Sequence, residues 1–138
     1  MREEVSLEEN GLVMVMVDID TSETARKMLG RMAECPHLVW MSAVKDNCQR
    51  AICLFVLPRD KVWWAMMLSE RPQVISAESA IATVLEHPQP DRVTLNRAKS
   101  PDGSVPCGSD CVACPQYRIR CRGCPASRFH LVDFPLEA

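Results

Sequence analysis

Five of the eight cysteines in this 138-residue chain lie in one short stretch near its carboxyl end. The gaps between them are three, two, six and two residues, and the candidate ligands are Cys107, Cys111, Cys114, Cys121 and Cys124. A short loop has no room to bury so many thiols as core side chains, whereas thiolates on tight turns converge on one soft cation or cluster. The spacing therefore predicts a cysteine-rich metal or iron–sulfur module in residues 107–138.

Two metal chemistries fit these cysteines, and the sequence leaves both open. Zn²⁺ would use the Cys-x2-Cys pairs that begin at Cys111 and Cys121, because a two-residue gap lets both sulfurs point into one tetrahedron. A 4Fe-4S cluster would use the Cys-x3-Cys-x2-Cys run that begins at Cys107, with a fourth ligand from Cys121 or Cys124. Disulfide bonds or free thiols are the remaining alternative.

Arginines alternate with the cysteines at Arg118, Arg120, Arg122 and Arg128. Four thiolates around Zn²⁺ or an oxidised four-iron cluster carry a net charge of about −2, so nearby guanidinium groups would offset that charge and lower the thiol pKa values. The competing interpretation is a basic patch for RNA or single-stranded DNA, with Tyr117 and Phe129 as stacking faces. The net charge of −2 for the whole chain does not favour nucleic-acid binding.

The composition indicates a protein of the cell interior. The hydrophobic fraction of 47% is enough for a packed core, and the first ten residues are acidic and polar. No apolar run approaches the roughly 18 residues that would span a bilayer, so no membrane contact is expected. Clustered cysteines in a reducing cytoplasm are typical of metal ligation, not of structural disulfides.

The residues before the cysteines alternate between strand-like and helix-like patterns. Residues 12–19 form an apolar run rich in β-branched side chains, which predicts a buried strand. Asp20 follows as a candidate helix N-cap, and apolar residues recur behind it with the helical period until Cys35 and Pro36 end the helix. A strand followed by an amphipathic helix is therefore predicted.

A hairpin and a second helix come next in the sequence. Strands are predicted at 38–45 and 48–57, joined by a tight turn at Asp46. Asp60 is the candidate cap of a helix that runs to about Ser69. The order β-α-β-β-α is the beginning of a ferredoxin-like domain, so an α+β fold of the form βαββα-β is expected.

The closing strand of this fold has two candidate positions. Between Ser76 and Leu85 the apolar residues lie at helical spacing, which favours a helix. The topology instead requires a strand, either within residues 74–85 or at 92–95. We expect a helix in the first stretch and the closing strand in the second.

The pattern over residues 12–85 also resembles a known family. The segments that carry the likeness are Val-Met-Val-Asp-Ile-Asp from Val15, Met-Ala-Glu-Cys-Pro-His-Leu from Met32, and Ile75 to Glu86. They resemble the small-molecule-binding or oligomerisation domain of the Lrp/AsnC regulators, which is related in shape to ACT domains. The resemblance implies a β-sheet domain that pairs with itself. No helix-turn-helix pattern precedes it, so DNA binding is not implied.

The cysteine stretch resembles a second group, the small cysteine-rich prokaryotic proteins of unassigned function. The shared features are the opening Cys-Gly-x-x-Cys-x-x-Cys-Pro at Cys107 and the later Cys-x-Gly-Cys at Cys121. This resemblance covers about twenty residues of the chain. It implies metal binding by the same five cysteines.

These patterns divide the chain into a ferredoxin-like, ACT-like domain (1–95), a linker (96–106) and the cysteine-rich module (107–138). No catalytic triad, phosphate-binding loop or carboxylate pair stands out, so no catalytic residue is assigned. We expect a non-catalytic accessory or regulatory protein that carries a 4Fe-4S or zinc site and acts as a homo-oligomer or in a larger protein complex. The alternatives are a small electron carrier or redox-enzyme subunit, and a zinc-knuckle regulator that binds nucleic acid.

Overall fold

The computed structural model describes residues 2–19, 22–44, 47–96, 98–133 and 135–136. In chain order these residues form β1 (Arg2–Ser6), β2 (Asn10–Asp18), α1 (Ser22–Met32), β3 (Leu38–Val44), β4 (Asn47–Pro58), α2 (Val62–Met67), β5 (Ser79–Leu85) and β6 (Arg92–Asn96). The first three predicted strands are confirmed as β2, β3 and β4, and the first predicted helix is confirmed as α1. The predicted cap Asp20, Asp46 of the predicted turn and the side chain of Cys48 lie outside the described residues. No helix in these ranges combines the length and apolar character that crossing a bilayer requires.

Four strands form one antiparallel sheet in the order β3-β4-β2-β5. β4 lies between β3 and β2, and β2 lies between β4 and β5, with every neighbour antiparallel. α1 connects β2 to β3, and β4 lies between these two strands in the sheet. This is the arrangement of a split β-α-β unit. The chain is therefore α+β, and the strand order is compatible with the predicted ferredoxin-like fold. We call residues 10–85 the body.

Alternation along β2 places the main core on the helix side of this sheet. Val13, Val15 and Val17 are fully buried and share one cluster with Met28 and Met32 of α1. Successive residues of a strand face opposite sides, so the intervening side chains reach the other face. Each fully buried valine or methionine contributes about 1.5–3 kcal/mol through the area it removes from water. The apolar stripe predicted for α1 is thus what holds that helix on the sheet.

A second sheet of two strands packs beside the body. β1 pairs antiparallel with β6, and Leu7 and Leu95 are buried with Leu12 and Val56 in a cluster separate from the main core. β1 was not predicted from the sequence, because Val5 is its single large apolar residue and the strand carries no periodic signal. Its pairing with a strand far along the chain is a non-local contact.

The position of the closing strand corrects the prediction for residues 76–85. A helix was expected there, but β5 closes the sheet by pairing with β2, and the strand predicted at 92–95 pairs with β1 instead. A strand forms despite the helical spacing of the apolar residues, because the edge of β2 offers backbone hydrogen bonds along its length. The β-branched residues Ile81, Thr83 and Val84 also favour a strand.

The second helix is shorter than predicted, and Asp60 does not cap it. A 3-10 turn at Arg59–Lys61 leads into α2, and no side chain caps the first turn of the helix. The Asp60 carboxylate lies 3.5 Å from a guanidinium nitrogen of Arg122, near the end of the chain. A contact between distant parts of the sequence therefore replaces the local interaction that the sequence pattern predicts.

The residues that follow β6 pack against the body. Val105, Cys107, Cys124 and Ala126 are buried in the same cluster as the helix-side core. The backbone N–H of Ser100 donates to the Ala126 carbonyl over 2.6 Å, which fixes the predicted linker to the cysteine-rich stretch. We call the described residues from 98 to 136 the tail. The division into 1–95, 96–106 and 107–138 stays a prediction.

Candidate metal centre

One small cavity collects all five predicted ligands. Cys107, Cys111, Cys114, Cys121 and Cys124 line a space of about 70 Å³ between the tail and the body. The other lining residues are Cys35, His37, Lys61, Trp63, Trp64, Val105, Ser109, Asp110 and Tyr117. The cysteines of the tail therefore pack against the region between the end of α1 and the start of α2.

Two glycines let the tail turn tightly around its cysteines. Gly108 and Gly123 have φ angles of +82° and +84°, in the left-handed region that favours glycine. A Cβ atom at residue 123 would lie 2.5 Å from the carbonyl oxygen of Phe129. The same carbonyl accepts a hydrogen bond from the Tyr117 hydroxyl over 2.5 Å. Only glycine fits at residue 123 without displacing the backbone of Phe129.

Backbone amides of the tail point at its sulfur atoms. The N–H of Gly123 donates to Cys121 Sγ over 3.4 Å. The backbone amide of Ala126 lowers the pKa of the Cys124 thiol, and that of Cys124 lowers the pKa of the Cys111 thiol. Hydrogen bonds to sulfur favour the thiolate form and tune metal–thiolate centres. The turns thus hold the sulfurs with donors already in place.

Burial opposes the ionisation of these thiols. It is the main cause that raises the pKa of Cys111 and of Cys124, and the nearby Cys121 thiol adds to the rise of both. The Lys61 ammonium group offsets part of the effect. Without a metal these two thiols are neutral at pH 7, and a bound cation would supply the positive charge that their thiolates need.

Two arginines of the tail contact the body. The guanidinium of Arg120 lies over the ring of Trp63, and that of Arg122 pairs with Asp60. Both partners belong to the segment that leads into α2 or to α2 itself. These contacts hold the tail over the cavity. The cation that lowers the pKa of Cys111 and of Cys124 is instead Lys61.

The other two arginines stack within the tail. Arg118 lies over the Tyr117 ring at 5.7 Å, and Arg128 lies over the Phe129 ring at 4.9 Å. Tyr117 and Phe129 themselves meet edge to face. The aromatic rings proposed as stacking faces for nucleic acid are therefore covered by the protein's own cations.

The side chains that the structure describes do not form a ready-made site for a single ion. No group of three or more His, Cys, Asp or Glu among them is spaced to hold a metal ion. In a zinc site each sulfur lies about 2.3 Å from the metal, which brings the four sulfurs close together. The seven cysteines whose side chains are described are free thiols. The disulfide alternative therefore has no support in these residues.

The predicted ligands all come from residues 107–138, yet the body also lines the cavity. Cys35, Lys61 and Trp63 border the same space as the five tail cysteines. A signal was available for Cys35, because proline follows it as it follows Cys114 and Cys124. Lys61 and Trp63 have no such signal, since only the docking of the tail brings them beside the thiols.

No protein-family model matches this chain, and no curated protein does. Among solved structures, the crystal structure of PH0061 is similar to it, with a TM-score of 0.46 and 14% identity. The match covers 59% of this chain and 55% of that chain, so it spans little more than half of the neighbour's length. A likeness this weak assigns no family.

Proposed function

We propose that this chain is a non-catalytic accessory or regulatory protein whose cysteine-lined cavity holds an iron–sulfur cluster, with Zn²⁺ as the alternative metal. The observation that carries the proposal is the convergence of five tail cysteines on one cavity, where a cysteine of the body joins them. Thiolates are the ligands that both metal centres use. The backbone donors aimed at three of these sulfurs add support, because such bonds favour the charged form that ligates metal.

The size of the cavity and the spacing of its thiols favour a cluster over a single ion. One water molecule needs roughly 10–15 Å³ of such space, and this cavity offers about 70 Å³. No group of three or more candidate ligands among the described side chains is arranged to hold one ion, whereas a four-iron cluster takes one thiolate on each iron. A bound cluster would supply a one-electron redox centre.

The wall of the cavity also offers an unused hydrogen-bond donor. Trp63 borders the cavity, and its buried Nε1–H has no acceptor among the described residues. An indole N–H can only donate, and leaving it unsatisfied costs about 1–3 kcal/mol. The sulfur atoms of a bound cluster are acceptors of the kind that would reduce this cost.

Electron transfer to a partner is the second candidate function, because one side of the cavity is open. Cys111, Cys114 and Cys121 are partly exposed, whereas Cys107 and Cys124 are buried. A redox partner that docked on the exposed side would approach the centre closely. Nucleic-acid binding is less favoured, since the arginines of the tail already contact the protein's own aromatic and acidic side chains.

For the body we propose self-association through an apolar face of the main sheet. The register of the strands places Met14, Met16, Trp40, Ile52 and Ile81 on the face away from the helices, and we call these five residues the open face. Ile81 is 65% exposed and Trp40 is 52% exposed. A contiguous apolar face is stable in water when another surface covers it, and a second copy of the same face forms a symmetric contact. The occupant that we propose is a second copy of this chain.

Anaerobic purification followed by iron, zinc and acid-labile sulfide analysis tests the metal centre. We expect about four irons and four sulfides per chain, and their loss in Cys114→Ser. Cys53→Ser is the control, because Cys53 is a buried thiol of β4 that does not line the cavity. Stoichiometric zinc without sulfide would select the alternative metal. A chain that takes up neither metal, as purified or after reconstitution, contradicts the proposal.

A further inference from the structure

We infer that Cys35, a residue of the body, is a ligand of the same centre, so that the metal bridges the body and the tail. This inference rests on the proposed function and adds to it a ligand from outside the cysteine-rich stretch. Cys35 follows the end of α1 and is 6% exposed. Its side chain lines the cavity together with all five tail cysteines.

The turn at Cys35 repeats the turn at Cys124. Each of these cysteines is followed by proline, which has no N–H to donate. The next amide along the chain is then the first donor available near the sulfur. The backbone amide of His37 lowers the pKa of Cys35, and that of Ala126 lowers the pKa of Cys124. A cysteine of the body thus has the local geometry of a predicted ligand.

The thiol neighbours of Cys35 distinguish it from an ordinary core cysteine. Cys35 lines one cavity together with Cys107 and Cys124, and all three residues are buried. Cys53 is buried as well, but it packs in the sheet away from the cavity. Several thiols in one poorly hydrated space are an arrangement that a bound cation stabilises.

The folded body fixes the position of Cys35 without help from the tail. Its N–H donates to the Met32 carbonyl over 2.9 Å, and its own carbonyl accepts from the Leu38 N–H over 3.2 Å. The thiol is therefore held between the last turn of α1 and the first residue of β3. Since the remaining ligands belong to the tail, metal binding at Cys35 would couple the docking of the tail to the loading of the centre.

Paired alanine variants test this inference. Cys35→Ala and Cys53→Ala each remove one buried thiol of the body, and only the first removes a thiol of the cavity. We expect at least about tenfold weaker metal binding for Cys35→Ala, measured as metal and sulfide retained per chain during anaerobic titration with a chelator. Cys53→Ala should retain metal as the unmodified chain does. Circular dichroism of the metal-free variants checks that both fold.

Amide hydrogen exchange of the unmodified protein gives a second readout, which decides the question even where Cys35→Ala fails to fold. Loading with iron and sulfide should slow exchange in residues 35–38, because Cys35 and His37 both line the cavity that would hold the centre. Residues 52–57 around Cys53 should exchange at the same rate in both forms. Equal exchange in 35–38, or a folded Cys35→Ala that loads normally, overturns the inference and leaves the proposed function standing. A chain that binds no metal overturns the proposed function itself.

Discussion

The guanidinium of Arg120 lies over the ring of Trp63, 5.7 Å from the ring centroid. Arg120 belongs to the tail and Trp63 to α2, so the contact crosses the boundary at which the cavity lies. Trp63 also lines the cavity. This cation–π pair therefore joins the tail directly to the wall of the candidate metal centre.

Replacing Arg120 by alanine should weaken the docking of the tail on α2. A cation–π contact at an exposed site contributes about 0.5–1 kcal/mol, so we expect a loss of unfolding free energy of that size. Amide exchange in α2 should become faster, because the tail covers that helix less often. Thermal melting and hydrogen exchange of the metal-free protein measure the two effects.

Arg118→Ala is the matched control for this prediction. Arg118 lies at the same 5.7 Å from an aromatic ring, but that ring is Tyr117 within the tail. The control should lose a similar free energy without faster exchange in α2. Equal exchange of α2 in both variants would contradict a role of Arg120 in docking.

Gly123→Ala should disrupt the tail, whereas Gly30→Ala should stabilise α1. Residue 123 has a positive φ and no space for a Cβ atom beside Phe129, so we expect a loss of at least about 1–2 kcal/mol. Metal affinity should also fall, because the Gly123 N–H bonds to Cys121. Nothing lies within 4 Å of a Cβ atom added at Gly30, and alanine in a helix is favoured over glycine by about 0.5–1 kcal/mol. If both variants shift the melting temperature in the same direction, the result contradicts this prediction.

The metal-free protein should lose stability as the pH rises above about 9. Burial raises the pKa of Cys35 and of Cys53 from 9.0 to about 12. Between about pH 9 and pH 12 the folded state therefore keeps these protons and the unfolded state releases them. The free energy of unfolding is undiminished below about pH 9 and falls as the pH rises towards 12. Urea midpoints measured across this window should decrease, and Cys53→Ala should reduce the slope. A slope that Cys53→Ala leaves unchanged would show that this thiol is not buried as described.

The parts of the fold that were predicted from the sequence depend on local signals. The buried valines of β2 and the helical stripe with Met28 and Met32 are periodic within one element, so the pattern alone locates them. The five tail cysteines were predicted to meet because their gaps are short, and short gaps restrict where the sulfurs lie. All five line one cavity, and their role as metal ligands stays a prediction.

The parts that were not predicted depend on contacts between distant residues. The apolar spacing around Ile81 fits a helix, and only the free edge of β2 decides for a strand. Asp60 has the sequence context of a cap, but the tail supplies Arg122 as its partner. Cys35 lies far along the chain from the other thiols, and the docking of the tail brings them together. No local pattern specifies these contacts, although the proline after Cys35 is a signal that it shares with Cys114 and Cys124.

Ile81→Lys should abolish the self-association that we propose for the open face. Ile81 is exposed on that face, and a lysine there would place a charge inside an apolar contact, where desolvation makes it costly. Val84→Lys is the control, because Val84 pairs with Val13 and so lies on the opposite face of β5, where it is 48% exposed. We expect sedimentation equilibrium to show a dimer for the unmodified chain and for Val84→Lys, and a monomer for Ile81→Lys. An unmodified chain that sediments as a monomer, or equal dissociation of both variants, would contradict self-association through the open face.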